Sequence, residues 1–229
     1  MTIGGFQKLS LTDFPGHLAA IVFTRGCNFR CPYCHNPELV DPGRYTSPVP
    51  DEEVFRFLKS RRGQLDGVVV TGGEPTVHAD LPQLLRRIQE LGFAVKLDTN
   101  GSRPDRIQSL VEERLLDYVA IDIKASALAY ESAAGVAVDH KAVRRSVELV
   151  ISSHVRHELR LTVVDPAAVL EQAKGIAEMA SGCDGFFLQP FQPSKALDSR
   201  LVALPRTSAA DLERIRQALS DAGLPAVLR

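Results

Sequence analysis

Short apolar runs alternate along the chain with longer segments in which apolar residues recur at helical spacing. Continuous apolar runs rich in β-branched residues predict strands buried on both faces, and apolar residues at every third or fourth position predict helices packed on one face. The predicted strands are residues 18–23, 67–71, 93–98, 117–123, 158–164 and 184–188. The predicted helices are residues 51–61, 80–91, 104–115, 139–152, 166–180 and 208–222.

These six strand–helix units indicate the α/β class, because strands separated by helices pair in parallel through right-handed crossovers. An open doubly wound sheet fits, but so does a barrel. Eight units would close a TIM barrel in roughly 250 residues. Six units fall short, so we favour a partial (β/α)6 TIM-type barrel. Since no linker or repeat interrupts the pattern, we expect a single domain over residues 1–229, with its core at about 17–192 and a C-terminal helix at about 208–222.

Composition narrows the class of protein. The 229 residues include 27 Lys and Arg against 28 Asp and Glu, a formal net charge of −1. This balance argues against nucleic-acid binding, which favours a basic surface. No apolar run approaches the ~20 residues that span a bilayer, and the first residues do not resemble a signal peptide. We therefore expect a cytoplasmic protein with no membrane partner.

Three of the four cysteines, Cys27, Cys31 and Cys34, lie in one short segment with C-x3-C-x2-C spacing. In a chain without an export signal, clustered thiols favour metal binding or catalysis over disulfides. A Cys3His zinc site that also uses His35 is conceivable, although adjacent ligands would strain to reach one ion. Three thiolates on a four-iron cluster would leave one iron open to a substrate or cofactor. We expect the distant Cys183 to be a packed core thiol.

Polar residues also follow the other predicted strands. The carboxyl ends of parallel strands meet at the edge of the sheet where ligands bind. Polar residues that recur at these ends therefore predict a binding site. Besides the cysteine segment, the candidates are Tyr33, His35, Gly72, Gly73, Glu74, Asp98, Asp122, Lys124 and Gln189.

The stretch GCNFRCPYCHNPEL resembles the cysteine motif of the radical S-adenosylmethionine (SAM) superfamily. Together with SLTDFPG, GGEP, LDTNG and DIK, it resembles the glycyl-radical-enzyme activating branch, in particular the anaerobic ribonucleoside-triphosphate reductase activating proteins. The resemblance runs from about residue 3 to residue 192.

The resemblance implies a [4Fe–4S] cluster on Cys27, Cys31 and Cys34, with SAM bound to the fourth iron through its amino and carboxylate groups. Reductive cleavage of SAM would then give methionine and a 5′-deoxyadenosyl radical. It implies a glycyl radical enzyme as partner, of the anaerobic ribonucleotide reductase or formate-lyase type. It also implies an electron donor of the flavodoxin or ferredoxin type.

The resemblance and the residue chemistry together suggest roles around SAM. Carbonyls of Gly72 and Gly73 would accept hydrogen bonds from its ammonium, and Glu74 would either face the same cation or hold its own loop. Asp122 and Lys124, two apart on a strand, would share a face, with an otherwise unpaired Lys124 taking the SAM carboxylate. Tyr33 would cover one side of the cluster or stack on the adenine, and Gln189 would lie near the adenosine. Asp98 would lie in the active site, and His35 directly follows the last cysteine.

Two other functions stay open at this point. One is a radical SAM enzyme acting on a small molecule, such as 7-carboxy-7-deazaguanine synthase. The other is a non-catalytic metal-binding or electron-transfer module, which GGEP, DIK and the six-unit scaffold oppose. The DFPG and CHNPE segments favour the activating enzyme, and so does a chain too short to cover the open side of the barrel.

Overall fold

The computed structural model describes residues 1–183 and 185–229, and within them eight strands form one sheet in chain order. The strands are β1 Ile3–Ser10, β2 Ala19–Thr24, β3 Gly67–Gly72, β4 Ala94–Thr99, β5 Tyr118–Asp122, β6 Arg156–Val163, β7 Phe186–Pro190 and β8 Ala226–Leu228. The α-helices are α1 Pro37–Val40, α2 Asp51–Ser60, α3 Leu81–Gln89, α4 Pro104–Glu112, α5 Tyr130–Ala134, α6 His140–Ser152, α7 Pro166–Glu171, α8 Ala173–Met179 and α9 Ala209–Asp221.

All six predicted strands are present and pair in parallel, so the predicted α/β class and partial barrel are confirmed. The sixth begins at Phe186, and position 184 of its predicted range lies outside the described residues. The sheet is not closed, because edge strands β1 and β8 do not pair with each other. None of the described helices is both long enough and apolar enough to cross a bilayer.

The hydrophobic pattern of the sequence did not predict either edge strand, β1 or β8. β1 contains two glycines and buries only its end residues, Ile3 and Ser10, so it lacks the continuous apolar run of the central strands. It pairs antiparallel with β2, and Phe6 lies opposite Val22. β8 has three residues and pairs in parallel with β7. Short or half-exposed strands gain their stability from their neighbours, and single-sequence periodicity does not record that contribution.

The helix predicted over 166–180 is two helices, α7 and α8, which meet at Gln172. Gln172 has φ −95° and ψ 0°, outside the helical region. Its side-chain oxygen accepts hydrogen bonds from Ser126 N at 3.1 Å and from Ser126 Oγ at 3.0 Å. These bonds tie the break to the segment that follows β5, a tertiary contact that helical periodicity cannot predict.

The sheet separates a large outer core from a small inner one. Val68 and Val70 belong to the outer cluster that packs against the helices. Val69, which points to the opposite face, belongs to a second cluster with Ile21 and Phe14. This inner cluster fills one end of the barrel interior with apolar side chains and leaves the carboxyl ends of the strands to polar groups.

Candidate active site

A cavity of about 320 Å³ lies at the carboxyl ends of the parallel strands. Its volume falls within the range of small-molecule sites, ≈ 300–1,000 Å³. The fold brings together there groups that are far apart in sequence. All twelve residues nominated from the sequence line it: Cys27, Cys31, Tyr33, Cys34, His35, Gly72, Gly73, Glu74, Asp98, Asp122, Lys124 and Gln189.

The cysteine loop, residues 25–36, joins β2 to α1 and is anchored by backbone hydrogen bonds. Gly26 N donates to Leu39 O at 2.7 Å, and Gly26 O accepts from Glu74 N at 2.8 Å. Gly26 has φ +94°, a conformation that glycine adopts without steric cost. Arg30 N donates to the last residue of α5 at 2.8 Å. The loop is therefore held against α1, α5 and the end of β3.

The three thiols of this loop are strongly desolvated. Burial, reinforced by the nearby Glu74 carboxylate, raises the pKa of Cys27 to about 12. Burial also raises the pKa of Cys31 and of Cys34, and the Lys124 cation opposes both increases only in part. In such a site the thiolate forms would be stable only beside a positive centre, and metal ions displace thiol protons.

The arrangement of the thiols indicates the kind of metal centre. Among the described residues, no three His, Cys, Asp or Glu side chains are grouped tightly enough to hold one metal ion. Cys27, Cys31 and Cys34 nevertheless line one cavity. Three thiolates lining one cavity fit a cluster in which each thiolate binds a different iron.

Gly72 and Gly73 are required by packing between strand ends. Gly72 has φ +113°, and a Cβ there would lie 2.5 Å from Thr24 N and O. A Cβ on Gly73 would lie 2.0 Å from Gly26 O. Both glycines therefore allow the end of β3 to contact β2 and the cysteine loop directly. This packing role explains the GG pair before any contact with a ligand is considered.

Glu74 holds its loop, the second of the two roles that the sequence left open. It is 1% exposed, and its Oε1 accepts hydrogen bonds from Thr76 N at 3.0 Å and Thr99 Oγ1 at 2.7 Å. Oε2 accepts from Asn100 N at 2.7 Å. Burial raises the pKa of Glu74, and these donors oppose the increase. The side chain thus connects the GGEP and LDTNG segments across neighbouring strands.

Asp122 and Lys124 do face the same cavity, but Lys124 is not unpaired as expected. β5 ends at Asp122, and Lys124 Nζ lies 3.2 Å from Asp122 Oδ2. Burial opposes the charge on Lys124, yet the Asp122 carboxylate outweighs it and the pKa of Lys124 lies well above its usual value. An ammonium has three donors, so this ion pair leaves donors for a ligand.

Arg160 is not among the candidates nominated from the sequence, yet it is central to the cavity. Arg160 Nε donates to Asp122 Oδ1 at 2.8 Å, and Nη1 donates to Asp98 Oδ2 at 3.1 Å. Burial would raise the pKa of Asp122, but Arg160 and Lys124 outweigh it and hold that pKa below its usual value. A single guanidinium therefore bridges both nominated aspartates and fixes their positions.

The cavity wall nearest β7 comes from aromatic and amide groups. Lys124 Nζ lies 6.0 Å from the centroid of the Tyr33 ring. The His35 ring stacks on Phe191, with centroids 5.2 Å apart, and its Nε2 accepts from Gln192 N at 3.3 Å. Burial lowers the pKa of His35, so the imidazole is neutral at pH 7. His35 therefore links the cysteine loop to the segment after β7, and Gln189 near the end of β7 completes the wall.

Sequence reasoning missed the charged floor beneath the cavity. Lys96 is 1% exposed, lies 2.8 Å from Asp98 and donates to Asp13 O at 2.6 Å. Glu158 is 0% exposed and accepts two hydrogen bonds from Arg229, at 3.1 and 3.0 Å. A lone lysine within the apolar run FAVKLD was the available signal, since buried charges are rarely found without partners.

Cys183 does not belong with the other three cysteines. It is absent from the residues that line the cavity and packs against the outer hydrophobic core. Its position fits the packing role expected of it.

The sequence profile of the radical SAM superfamily matches residues 21–180. The chain belongs to the radical SAM superfamily. The matched range begins in β2 and ends beyond α8, so it contains the cysteine loop and five of the parallel strands that frame the site.

Two relatives match nearly the full chain. One is a Methanocaldococcus jannaschii protein whose name provisionally assigns it as a glycyl-radical enzyme activating enzyme. It is 32% identical over 218 residues, and the match covers 93% of this chain and 89% of that protein. The other is the 7-carboxy-7-deazaguanine synthase of Thermococcus kodakarensis, 28% identical over 221 residues with 87% and 85% covered.

Among solved structures, Streptococcus suis SuiB bound to its precursor peptide SuiA has a TM-score of 0.67 with 16% identity. The match covers 91% of this chain and 48% of SuiB, so this chain spans about half the length of that protein. SuiB has also been crystallised bound to S-adenosylmethionine, with a TM-score of 0.62. At this identity the likeness concerns the fold alone.

Family membership gives the coarse activity. The protein is a radical SAM enzyme, and its cofactors are a [4Fe–4S] cluster and SAM. The desolvated thiols of Cys27, Cys31 and Cys34 fit that cluster, since all three line one cavity.

Proposed function

We propose that this radical SAM enzyme generates a glycyl radical on a partner enzyme. An anaerobic ribonucleotide reductase is the preferred partner, ahead of an enzyme of the formate-lyase type. The observation that carries the proposal is the 32% identity over 93% of the chain to a protein named as such an activating enzyme. The SLTDFPG and CHNPEL segments are the sequence features that favour an activating enzyme over a small-molecule enzyme. They supply Asp13, His35 and Asn36 to the cavity.

The open side of the sheet supports a macromolecular substrate. A second cavity of about 380 Å³ lies beside the first and is lined from both ends of the sheet, by Thr12 and Asp13 on one side and Arg229 on the other. His35 and Arg160 line both cavities, so the two are adjacent. A loop of a partner enzyme entering between β1 and β8 would bring its glycine to the site and cover the opening.

The residues of the chain take the following roles in this proposal. Cys27, Cys31 and Cys34 hold the cluster, which supplies one electron for cleavage of the SAM sulfonium. Lys124 donates to the SAM carboxylate while Arg160 shares the charge of Asp122. Backbone carbonyls of the GG turn accept from the SAM ammonium. Tyr33 and Gln189 border the adenosine, and Asp98 is held in place by its hydrogen bond from Arg160.

The overall reaction balances. SAM and one electron give methionine and 5′-deoxyadenosine, and the hydrogen atom that 5′-deoxyadenosine gains comes from the α-carbon of the partner's glycine. The partner keeps one unpaired electron on that carbon. The chain itself has to exclude water and position the two reactants, as proteins do for most cofactor chemistry.

A second candidate function is 7-carboxy-7-deazaguanine synthesis. The observation that favours it is the 28% identity to the Thermococcus kodakarensis synthase over 87% of this chain. That enzyme would have to enclose a small substrate and bury most of its surface.

Electron paramagnetic resonance separates the two candidates. The reconstituted enzyme is mixed anaerobically with SAM, reductant and the anaerobic ribonucleotide reductase of the same source. We expect a doublet from a carbon-centred radical that requires both SAM and reductant. A reductase variant with alanine at the radical glycine is the matched control and should give no doublet. Turnover of a carboxy-tetrahydropterin without any protein partner, and no doublet, would establish the synthase instead.

A further inference from the structure

We propose that a basic patch beside the cysteine loop is the docking surface for a small, strongly acidic electron-transfer protein that reduces this enzyme. The patch consists of Arg103, Arg106 and Arg145, and we call it the α4 basic patch. The proposal rests on the cluster chemistry of the superfamily and is independent of which substrate follows.

The α4 basic patch surrounds a surface groove of about 500 Å³ between the starts of α4 and α6. The groove is mainly polar, and Ser102, Asp105 and Asp139 line it with the three arginines. Arg145 Nη2 lies 2.6 Å from Asp105 Oδ1, which fastens the two helices together. A polar, charged groove of this kind suits a hydrated protein contact rather than an apolar ligand.

Two charges of the patch, those of Arg103 and Arg106, are available to a partner, whereas Arg145 is paired with Asp105. Arg103 and Arg106 form no ion pair with a described residue, and Asp139 is engaged as the cap of α6, accepting from Lys141 N at 3.0 Å. The cations on the opposite side of the cysteine loop are already neutralised within the chain. They form ion pairs there as Arg44 with Asp41, Lys195 with Glu38, and Arg200 with Asp198.

Hydrogen bonds connect the patch to the cysteine loop. Asn28, which follows Cys27, donates from Nδ2 to Ser102 Oγ at 2.8 Å. Asn100 Nδ2 donates to Asn28 Oδ1 at 3.0 Å, and Ser102 N donates to Asn100 Oδ1 at 2.9 Å. Ser102 precedes Arg103 in the chain. A protein docked on the patch therefore lies beside the loop, with a short bonded path to Cys27.

The redox step is simple to balance. The reduced donor loses one electron and the enzyme gains it, and no bond forms or breaks. Unpaired arginines steer an acidic partner at long range, which raises association rates by 10–10³ and makes them fall with ionic strength. The rate of reduction by a small uncharged or anionic reagent should not depend on the α4 basic patch, because such a reagent does not dock as a protein does.

The test is the rate at which fully reduced flavodoxin reduces the reconstituted enzyme, followed by absorbance in an anaerobic stopped-flow instrument. For Arg103→Glu/Arg106→Glu we expect a second-order rate at least ~10-fold lower at low salt, with a weaker salt dependence. Reduction of the same variant by dithionite should proceed at the rate of the parent enzyme. Equilibrium binding of oxidised flavodoxin should weaken in parallel.

The matched control is Arg56→Glu/Lys59→Glu, which makes the same charge change on two exposed residues of α2. It should leave the flavodoxin rate within about twofold of the parent. An equal loss in this control would mean that overall charge, and not the patch, governs association, and would overturn the proposal. An unchanged rate in the Arg103/Arg106 variant would overturn it as well. Neither result bears on the glycyl radical, because no partner enzyme is present.

Discussion

Arg160 and Asp122 lie directly opposite each other on neighbouring strands β6 and β5, and Arg160 Nε donates to Asp122 Oδ1 at 2.8 Å. The same guanidinium reaches Asp98 on β4 at 3.1 Å. From β6, the fork geometry of arginine therefore fixes two carboxylates on two other strands, β4 and β5, at the cavity. Lysine, a point charge on a flexible stem, cannot bridge them in this way.

Arg160→Lys should consequently weaken SAM binding while the cluster is retained. We expect a loss of about 10-fold or more, since charge-assisted hydrogen bonds contribute ≈ 1.5–3 kcal/mol. Equilibrium dialysis with labelled SAM measures the affinity, and absorbance measures the cluster. An affinity equal to that of the parent enzyme would show that the bridge has no role in the site.

Lys124→Ala should also retain its cluster and bind SAM weakly, by roughly ten- to a hundredfold, because a donor to the SAM carboxylate is lost. Lys195→Ala is the control, since Lys195 forms an exposed ion pair with Glu38 outside the cavity. Unchanged SAM affinity in a folded Lys124 variant would remove Lys124 from the site.

The pairing of Asp122 predicts an acid-dependent contribution to stability. Its pKa is lower in the folded protein, so the stabilisation is fully present above the unfolded value of about 3.9 and is lost as pH falls through the folded value. Urea unfolding should show Asp122→Asn to be less stable than the parent at pH 7. The gap should narrow below about pH 4. A gap that is constant between pH 7 and pH 3 would contradict this.

The cluster should need Cys27, Cys31 and Cys34 but not Cys183. Alanine at any of the first three removes a thiolate from the cavity, whereas Cys183 packs on the core. Iron content and visible absorbance after anaerobic reconstitution measure the outcome. Loss of the cluster in folded Cys183→Ala would overturn the assignment of three ligands.

Gly73→Ala should destabilise the fold, because its Cβ would lie 2.0 Å from Gly26 O and backbone must move. Overpacking of this kind costs typically 1–3 kcal/mol. Gly43→Ala is the control, since its Cβ would meet only the flexible Asp41 side chain at 3.4 Å. Denaturant midpoints of the two variants give the comparison, and equal midpoints would contradict the packing role.

The parts of the fold that were predictable from sequence are those with local signals. Buried parallel strands carry continuous apolar runs, and polar residues at their ends converge by topology, so the residues around Cys27 and Lys124 could be assigned to one site. β1 and the pairing of Asp122 with Arg160 depend on neighbours distant in sequence. Glu74 shows the same limit: its residue type allowed two roles, and only its donors decided between them.

The bonds that anchor Gly26 have a consequence for how the protein is made. Gly26 N donates to Leu39 O, but Gly26 O accepts from Glu74 N. Glu74 is synthesised 48 residues after Gly26. During translation the first 40 residues emerge without the groups that complete the loop, and domains fold as units from the N-terminus. The cysteines therefore acquire their final arrangement only after β3 has left the ribosome. Binding of a cluster to the fully anchored loop therefore requires the chain through Glu74.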